Sequence, residues 1–412
     1  MSWRESLRPL AAPPFRSFLA GRTIDLLGNS MAPVAVAFAV LHIGGDAGDL
    51  GIVLAARSIP LIVFVLYGGV IADRFPRHRV LVVACALSGA VQVLAAALLI
   101  GDVATVATLA AVEAVHGSVS AFTMPAIHGI VPQLVDRRQL QQANALTSAG
   151  RSAALMIGPA VSGILVATVG AGWALAVDGG SYLVAGLLFA RLRLAPVERA
   201  STSMVAELRD GWSEFVARTW VWVVVLGFGV LNAVYACGWV TLGPVVADGT
   251  IGADGWGFVL TVQAVGFLLG TVVMLRVSPR FPLRLGMIGA LGLALPMAAL
   301  GVSPEFVLLA VASFVAGIGL ELFGVTWETS LQQHVPLDKL SRVASYDMLG
   351  SIIALPLGQL AAGPLVVWFD VRSVVVGCAV VYAAVALAVL LAPSVWRLGA
   401  APGDSVEVRA TP

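Results

Sequence analysis

A few ionisable and amide side chains sit inside long apolar runs, where a charge is costly and is kept for ion pairs or for moving protons and solutes. Asp25 and Asn29 are four residues apart and so share a helix face, and Glu113 and His116 share another with Gly117 and Ser120. Arg57, Arg151 and Asp178 each stand in a run of their own, Asp178 close to its predicted outer end. Glu321, Glu328 and Gln332 line one face of a later run beside Trp327. Asn232, Tyr235 and Trp239 recur at helical spacing in another, followed in the next by Gln263, Gly266 and Phe267. Arg57 and Glu113 lie at matching depths from one surface, and Asp25 and Arg151 at matching depths from the other. Two buried ion pairs are therefore geometrically possible, serving either helix packing or transport. Glu321 has no arginine at a comparable depth in its half of the chain and is the first choice for a proton or cationic-substrate site, since an unpaired carboxylate can gain or lose a proton as a cavity opens. Aromatics with scattered amides suit an apolar cavity for large ligands, although Trp239 also reads as an interfacial anchor.

The elements that must hold these residues are membrane helices. The chain has 412 residues, 59% hydrophobic and 11% charged, with a mean hydropathy of +0.95, too apolar for a soluble domain of this size. Twelve apolar runs are predicted as helices over 17–42, 50–71, 80–100, 103–131, 143–168, 174–195, 220–243, 256–277, 285–302, 306–333, 343–367 and 373–395. Residues 1–16 carry Arg4, Arg8 and Arg16 with prolines but no apolar core, so they read as a cytoplasmic segment rather than a cleaved signal. Alternating sides from that start places the Lys and Arg residues almost entirely inside, the exceptions being Arg372 outside and Arg57 and Arg151 within helices. The bias predicts both termini in the cytoplasm.

Self-similarity divides the chain. Gly150, Gly158 and Gly163 recur 200 residues later as Gly350, Gly358 and Gly363, Tyr182 recurs as Tyr382, and Arg74-Phe75-Pro76 as Arg280-Phe281-Pro282. The expected organisation is an N-terminal six-helix bundle over 17–195, an amphipathic cytoplasmic linker over 196–219, a C-terminal bundle over 220–395 and a disordered tail over 396–412. Cys85, Cys237 and Cys378 fall within helices, and His42, His78, His116, His128 and His334 show no zinc-like clustering with them, so no metal site or disulfide framework is expected. No phosphate loop is present, and the net charge of +1 with arginines spread among inner loops points away from nucleic acid. A single lysine among 23 arginines hints at a high-GC bacterial genome.

The loop between the second and third runs carries Gly69, then Asp73-Arg74, then Arg77 and Arg79. This pattern resembles the helix 2 to 3 loop motif of the major facilitator superfamily, with Pro76 where that family usually has glycine and His78 where it has a second basic residue. Gly158-Pro159 through Gly163, with Gly150, resembles in part the Gly-Pro helix-packing motif of its antiporter branch, Ala154 and Ser162 standing where glycine would be expected. Phe18-Leu19-Ala20-Gly21-Arg22, Ala56-Arg57-Ser58, Leu140 to Leu146 and Trp327 to Gln333 resemble the bacterial exporters that include macrolide-efflux proteins and the enterobactin exporter. The resemblance implies an all-α membrane protein of twelve transmembrane helices in two six-helix bundles. It also implies a monomeric transporter rather than an enzyme, sited in the bacterial cytoplasmic membrane. Such a protein exports amphipathic drugs or secondary metabolites by alternating access, driven by protons and without a cofactor. Asp73 would then meet the start of helix 11 near Val343, with Asp347 opposing it unless Arg342 intervenes. Competing readings are a nutrient uptake permease and a non-transporting membrane sensor or scaffold.

Overall fold

The computed structural model describes residues 8–399 other than 129, 137, 138, 193–211, 214, 275 and 278. The side chains of 66, 68–74, 124, 125, 128, 132, 141, 337–342, 344 and 345 also lie outside the description. Among the described residues the protein is all helix, with twelve helices long and apolar enough to cross a membrane. They are α1 (Pro13–His42), α2 (Ala47–Arg74), α3 (Arg77–Ile100), α4 (Val106–His128), α5 (Leu140–Val169), α6 (Ala171–Phe189), α7 (Thr219–Asp248), α8 (Gly252–Met274), α9 (Pro282–Val302), α10 (Phe306–His334), α11 (Leu337–Ile352 and Leu355–Trp368) and α12 (Val371–Leu391). Residues 196–211 and 214 of the predicted linker lie outside the described residues, as does the tail beyond Gly399.

One end of the molecule carries Asp46, Asp49, Asp102, Asp248, Asp254, Glu305 and Asp370 in its connections and is called here the acidic end; the other carries Arg77, Arg79, Arg191, Arg280 and Arg284 and is called the basic end. Between the ends the surface is inside out by the standards of a soluble protein. Val302, Val307, Leu187 and Val367 are among many large apolar side chains exposed on the perimeter, where hydrocarbon would cover them.

Several helices depart from regular form for local reasons. Gly170, at φ +95°, turns α5 into α6 in a single residue, a conformation that any side chain would strain. α7 widens into a π-helical turn at Ala236–Thr241, closed by the Thr241 hydroxyl donating to the Ala236 carbonyl at 2.8 Å. α11 is interrupted just before Pro356, whose ring supplies no backbone donor. α11 also begins at Leu337, six residues before the predicted start at Val343, and α7 continues to Asp248, five beyond its predicted end.

The repeat in the sequence is a repeat in contacts. A Cβ at Gly163 would lie 2.5 Å from the carbonyl oxygen of Ala253, so α5 and α8 touch backbone to backbone; Gly363 likewise meets Gly48, so α11 touches α2. A Cβ added at Gly257 would stand 2.3 Å from the Pro159 carbonyl oxygen and one at Gly51 2.2 Å from that of Gln359, completing the same symmetric pair of crossings. Gly158 and Gly358 hold α5 to α1 and α11 to α7 inside their own halves. Small residues let membrane helices approach closely where no hydrophobic drive exists between them. Among the described residues every crossing of this kind between halves lies toward the acidic end, where Val34, Phe38 and Ala47 also join the core of the second half around Trp239 and Leu242.

Candidate functional site

The first half encloses a connected polar cluster to which five helices contribute. From α2, Arg57 donates through Nη2 to Asn29 Oδ1 of α1 at 2.9 Å, and its Nη1 stands 3.7 Å from Glu113 Oε2 of α4. One turn further along α4, His116 Nδ1 lies 3.8 Å from the same carboxylate, an ion-pair separation rather than a hydrogen bond. Tyr182 of α6 donates to Asn29 Oδ1 at 3.2 Å and sits 3.2 Å from His116 Nε2, its ring edge-on to the imidazole. Gln92 of α3 closes the cluster: its Nε2 donates to Asp178 Oδ2 of α6 at 2.9 Å and lies 3.4 Å from His116 Nδ1. Gln92, His116 and Asp178 are fully buried and Glu113 nearly so, while the Arg57 side chain keeps about a fifth of its surface. The cluster therefore runs from a partly accessible arginine and asparagine to a sealed carboxylate. Among the described residues Asp178 forms no ion pair, and its Oδ1 has no hydrogen-bond partner.

Sequence reasoning does not pick out two members, Gln92 and Tyr182, for proton or substrate binding, and it places the third, Asp178, close to the outer end of its helix. Gln92 carried a signal, as an amide in the middle of an otherwise apolar run. Asp178 stands seven residues into α6, about 10 Å from its end, because the helix begins at Ala171 rather than 174.

The remaining expected residues fall elsewhere. Asp25 is buried but takes its salt bridge from Arg22 three residues earlier, not from Arg151, whose side chain is exposed; a partner one helical turn away needs no second helix to be aligned. Glu321 is not an isolated buried acid: it is half-buried in the groove between α8 and α10, accepting from Thr271 at 2.8 Å. Glu328 is exposed and accepts from Gln332 one turn on. Tyr235 is half-buried on α7, Gln263 is buried with its Nε2 unpartnered, and Trp239 is neither anchor nor cavity wall but is packed in the core against Trp256, ring centroids 4.7 Å apart. Arg77 and Arg79 open α3 at the basic end, Arg79 exposed. Gly69, Asp73 and Arg74 fall in the last turns of α2, and their side chains lie outside the described residues, so the expected contact of Asp73 with α11 does too. Gly150 packs on Thr23 of α1.

The second half repeats the packing without the charge. Gly117 on the Arg57 carbonyl is matched by Gly317 on the Gln263 carbonyl, and the 200-residue offset carries Glu113, His116 and Asp178 to Ser313, Ala316 and Cys378. Besides Glu321, Glu328 and Asp347, which form no such cluster, the second half has a run of aromatic rings. Phe228 of α7 stacks on Phe323 of α10 at 4.1 Å, Phe323 on Trp327 at 6.1 Å, and Trp220 meets Trp327 edge-on at 5.6 Å. The Trp327 indole donates to Asp347 Oδ2 at 2.9 Å, tying α10 to the first segment of α11. Trp327→Phe keeps the stack and deletes that bond, and should lower stability by about 1 kcal/mol in thermal unfolding of the solubilised protein.

Twelve spanning helices in two pseudo-symmetric halves that touch through the second, fifth, eighth and eleventh define a transporter of the major facilitator type, not an enzyme. The profile of the transmembrane secretion effector family matches residues 4–394. The chain belongs to that family. It is 29% identical to the multidrug efflux pump Tap of Mycolicibacterium fortuitum, over 87% of this chain and 89% of that one. It is 24% identical to the enterobactin exporter EntS of Escherichia coli, over 88% and 85% respectively. In fold it is similar to the crystal structure of the nucleoside transporter NupG, with a TM-score of 0.74 at 14% identity, over 93% of this chain and 99% of that one.

Proposed function

We propose that this protein exports amphipathic small molecules from the bacterial cytoplasm in exchange for protons, as a monomer that alternates between two access states. The observation that carries the reading is the unlike chemistry of the two halves: an ionisable cluster from Asn29 to Asp178 in the first, and an aromatic seam from Trp220 to Phe323 in the second. The aromatic side suits a large, loosely specified ligand, and the ionisable side can exchange protons. The names of the relatives, a multidrug efflux pump and a siderophore exporter, support that substrate class.

Positively charged connections stay in the cytoplasm, so the basic end faces inward and both termini lie inside. In this reading the glycine crossings close the outer end while substrate loads from the cytoplasm. The proton gradient is the energy source and no cofactor takes part. Asp73, with Gly69, Arg74, Arg77 and Arg79, belongs to the loop that braces the opposite state.

The test is the accumulation of macrolides, tetracyclines and cationic dyes in an efflux-deficient bacterial host, with and without a protonophore. Lower accumulation that the protonophore abolishes is expected for the native chain, and Asp73→Asn at equal membrane abundance should restore accumulation. Higher accumulation in cells carrying the protein would mean uptake and would overturn the reading.

A further inference from the structure

Arginine only donates, so the Asn29 atom 2.9 Å from Arg57 Nη2 is the amide oxygen, and the amide nitrogen points the other way. Tyr182 supports the same orientation by donating to that oxygen at 3.2 Å. Among the described residues Asn29 Nδ2 has no acceptor. Neither have Nε and Nη1 of Arg57, since Glu113 stands 3.7 Å from Nη1, an ion-pair separation rather than a hydrogen bond. These nitrogens are not sealed in. The buried atoms of the cluster that lack a hydrogen bond are oxygens on its inner side, Gln92 Oε1, Glu113 Oε2 and Asp178 Oδ1.

The opening onto which the donors give is internal. From Met31 to Val40 α1 is buried except at Pro33, which lies one turn from Asn29 on the same face, whereas a helix bordering lipid exposes a side chain in every turn. On α2 the exposed apolar side chains Ile52, Ile59 and Val63 face outward, and Arg57 stands roughly opposite them around the helix. Phe64 shares the Arg57 face two turns nearer the basic end and is 38% exposed, so an aromatic wall leads toward the donors.

We infer that Asn29 and Arg57 form the polar end of a substrate site that takes an uncharged carbonyl oxygen, of a ketone, lactone or amide, carried on an apolar body.

The donor inventory selects the group. The open edge of the pair offers N–H alone, so a ligand ammonium finds nothing to bond, while a carbonyl oxygen with two lone pairs can accept from both residues at once. Charge selects further. Arg57 is already opposed by Glu113, and a ligand carboxylate would set a second anion beside the same guanidinium. A neutral acceptor takes up the donors without altering that balance and gains a charge-assisted bond from the arginine. The inference rests on the exporter reading for the role of the ligand as cargo, but not for its chemistry.

The probes are pyrenes that share one apolar body and differ in the head group: N,N-dimethylpyrenebutanamide, butylpyrene, pyrenebutyrate and pyrenebutyl-trimethylammonium. Binding to the purified full-length protein is followed by fluorescence polarisation. The readout is the preference for the amide over butylpyrene, compared between native and variant chains so that partition into detergent cancels. Asn29→Asp keeps an oxygen facing Arg57 and turns the free donor into an acceptor; the preference should fall about tenfold or more, and binding of the ammonium probe should strengthen. Arg57→Lys keeps a positive charge opposite Glu113 but loses the fork that serves Asn29 and the ligand together, and should lower the preference alike. It also serves alone should Asn29→Asp fail to fold. A preference unchanged in the variants would overturn the inference, and so would a native chain that binds pyrenebutyrate more tightly than the amide. The predicted discrimination in a protein that exports nothing would refute the exporter reading alone. Proton-driven export with a preference that the variants leave intact would refute this one alone.

Discussion

Arg57→Met is expected to destabilise the solubilised protein by about 3 kcal/mol, because it leaves the Glu113 carboxylate buried with its principal counter-charge gone. Glu113 is 2% exposed, and its Oε2 has no hydrogen bond; what holds it is charge, from Arg57 at 3.7 Å and from His116 when that ring is protonated. Arg57 also anchors Asn29, which in turn receives Tyr182, so the same substitution loosens the contacts of α2 with α1 and, through Asn29, of α6 with α1. The double variant Arg57→Met with Glu113→Gln removes both charges at nearly constant volume and should recover most of the loss. Replacing a whole buried pair is far less costly than breaking it. Thermal unfolding of the four proteins in that cycle gives the coupling directly. Additive losses would mean that the two charges do not depend on each other and that hydrogen bonding to Asn29 accounts for the effect of Arg57. Asp25 and Arg22 give the contrast in geometry: Asp25 is as buried as Glu113, but its partner one turn away on the same helix is aligned without a second helix.

The architecture was legible in the sequence because hydropathy reports length and the repeat reports symmetry. Gly158 and Gly163 with their copies at Gly358 and Gly363 mark the faces where helices cross, and the structure uses both copies in equivalent crossings. The candidate site was legible only as far as depth along a helix can take it. Depth placed Arg57 level with Glu113, and the two do meet; the same arithmetic placed Asp25 level with Arg151, and there the local partner Arg22 was overlooked. Depth carries no information about which way a face points. Glu321 therefore looked isolated when its carboxylate is bonded to Thr271 in the neighbouring helix, and Gln92 attracted no notice although three helices converge on it. Trp239 failed for a third reason. The π-helical turn at Ala236–Thr241 and the continuation of α7 to Asp248 draw it away from the end of the helix and into the core, and neither feature has a hydropathy signature. Polar contacts among helices in a membrane depend on rotation about each axis, which only packing sets.

Rotation and closure are also where a small change should have the largest effect on transport. Gly257→Leu is expected to open the acidic end and cut export by about tenfold to a hundredfold while leaving the ionisable cluster intact. The Cβ of any residue at 257 would stand 2.3 Å from the Pro159 carbonyl oxygen, and that neighbour is backbone, so no rotamer change relieves the clash. α5 and α8 must separate, and overpacking of this kind costs about 1–3 kcal/mol, which is one to two powers of ten in the population of the closed state. Gly51→Leu, against the Gln359 carbonyl at 2.2 Å, is the symmetric experiment on α2 and α11 and should act alike. The control is Gly377→Ala, where an added Cβ meets nothing within 4 Å and no change is expected. Spin labels at the exposed positions Asp102 and Glu305, one in each half at the acidic end, would read the separation directly. A short distance in the native chain should lengthen in Gly257→Leu and Gly51→Leu and stay short in Gly377→Ala. An unchanged distance with export retained would show that the crossings give way locally, and closure would then have to be carried by the apolar contacts of Val34 and Phe38 with the second half rather than by the glycines. The outcome separates two physical causes that look alike in one state: helices held together by how closely their backbones can approach, and helices held by what their side chains bury. Only the first makes closure all-or-none across two symmetric crossings, because backbone carbonyls cannot be compressed by degrees, and a transporter that must seal one end before opening the other needs that sharpness.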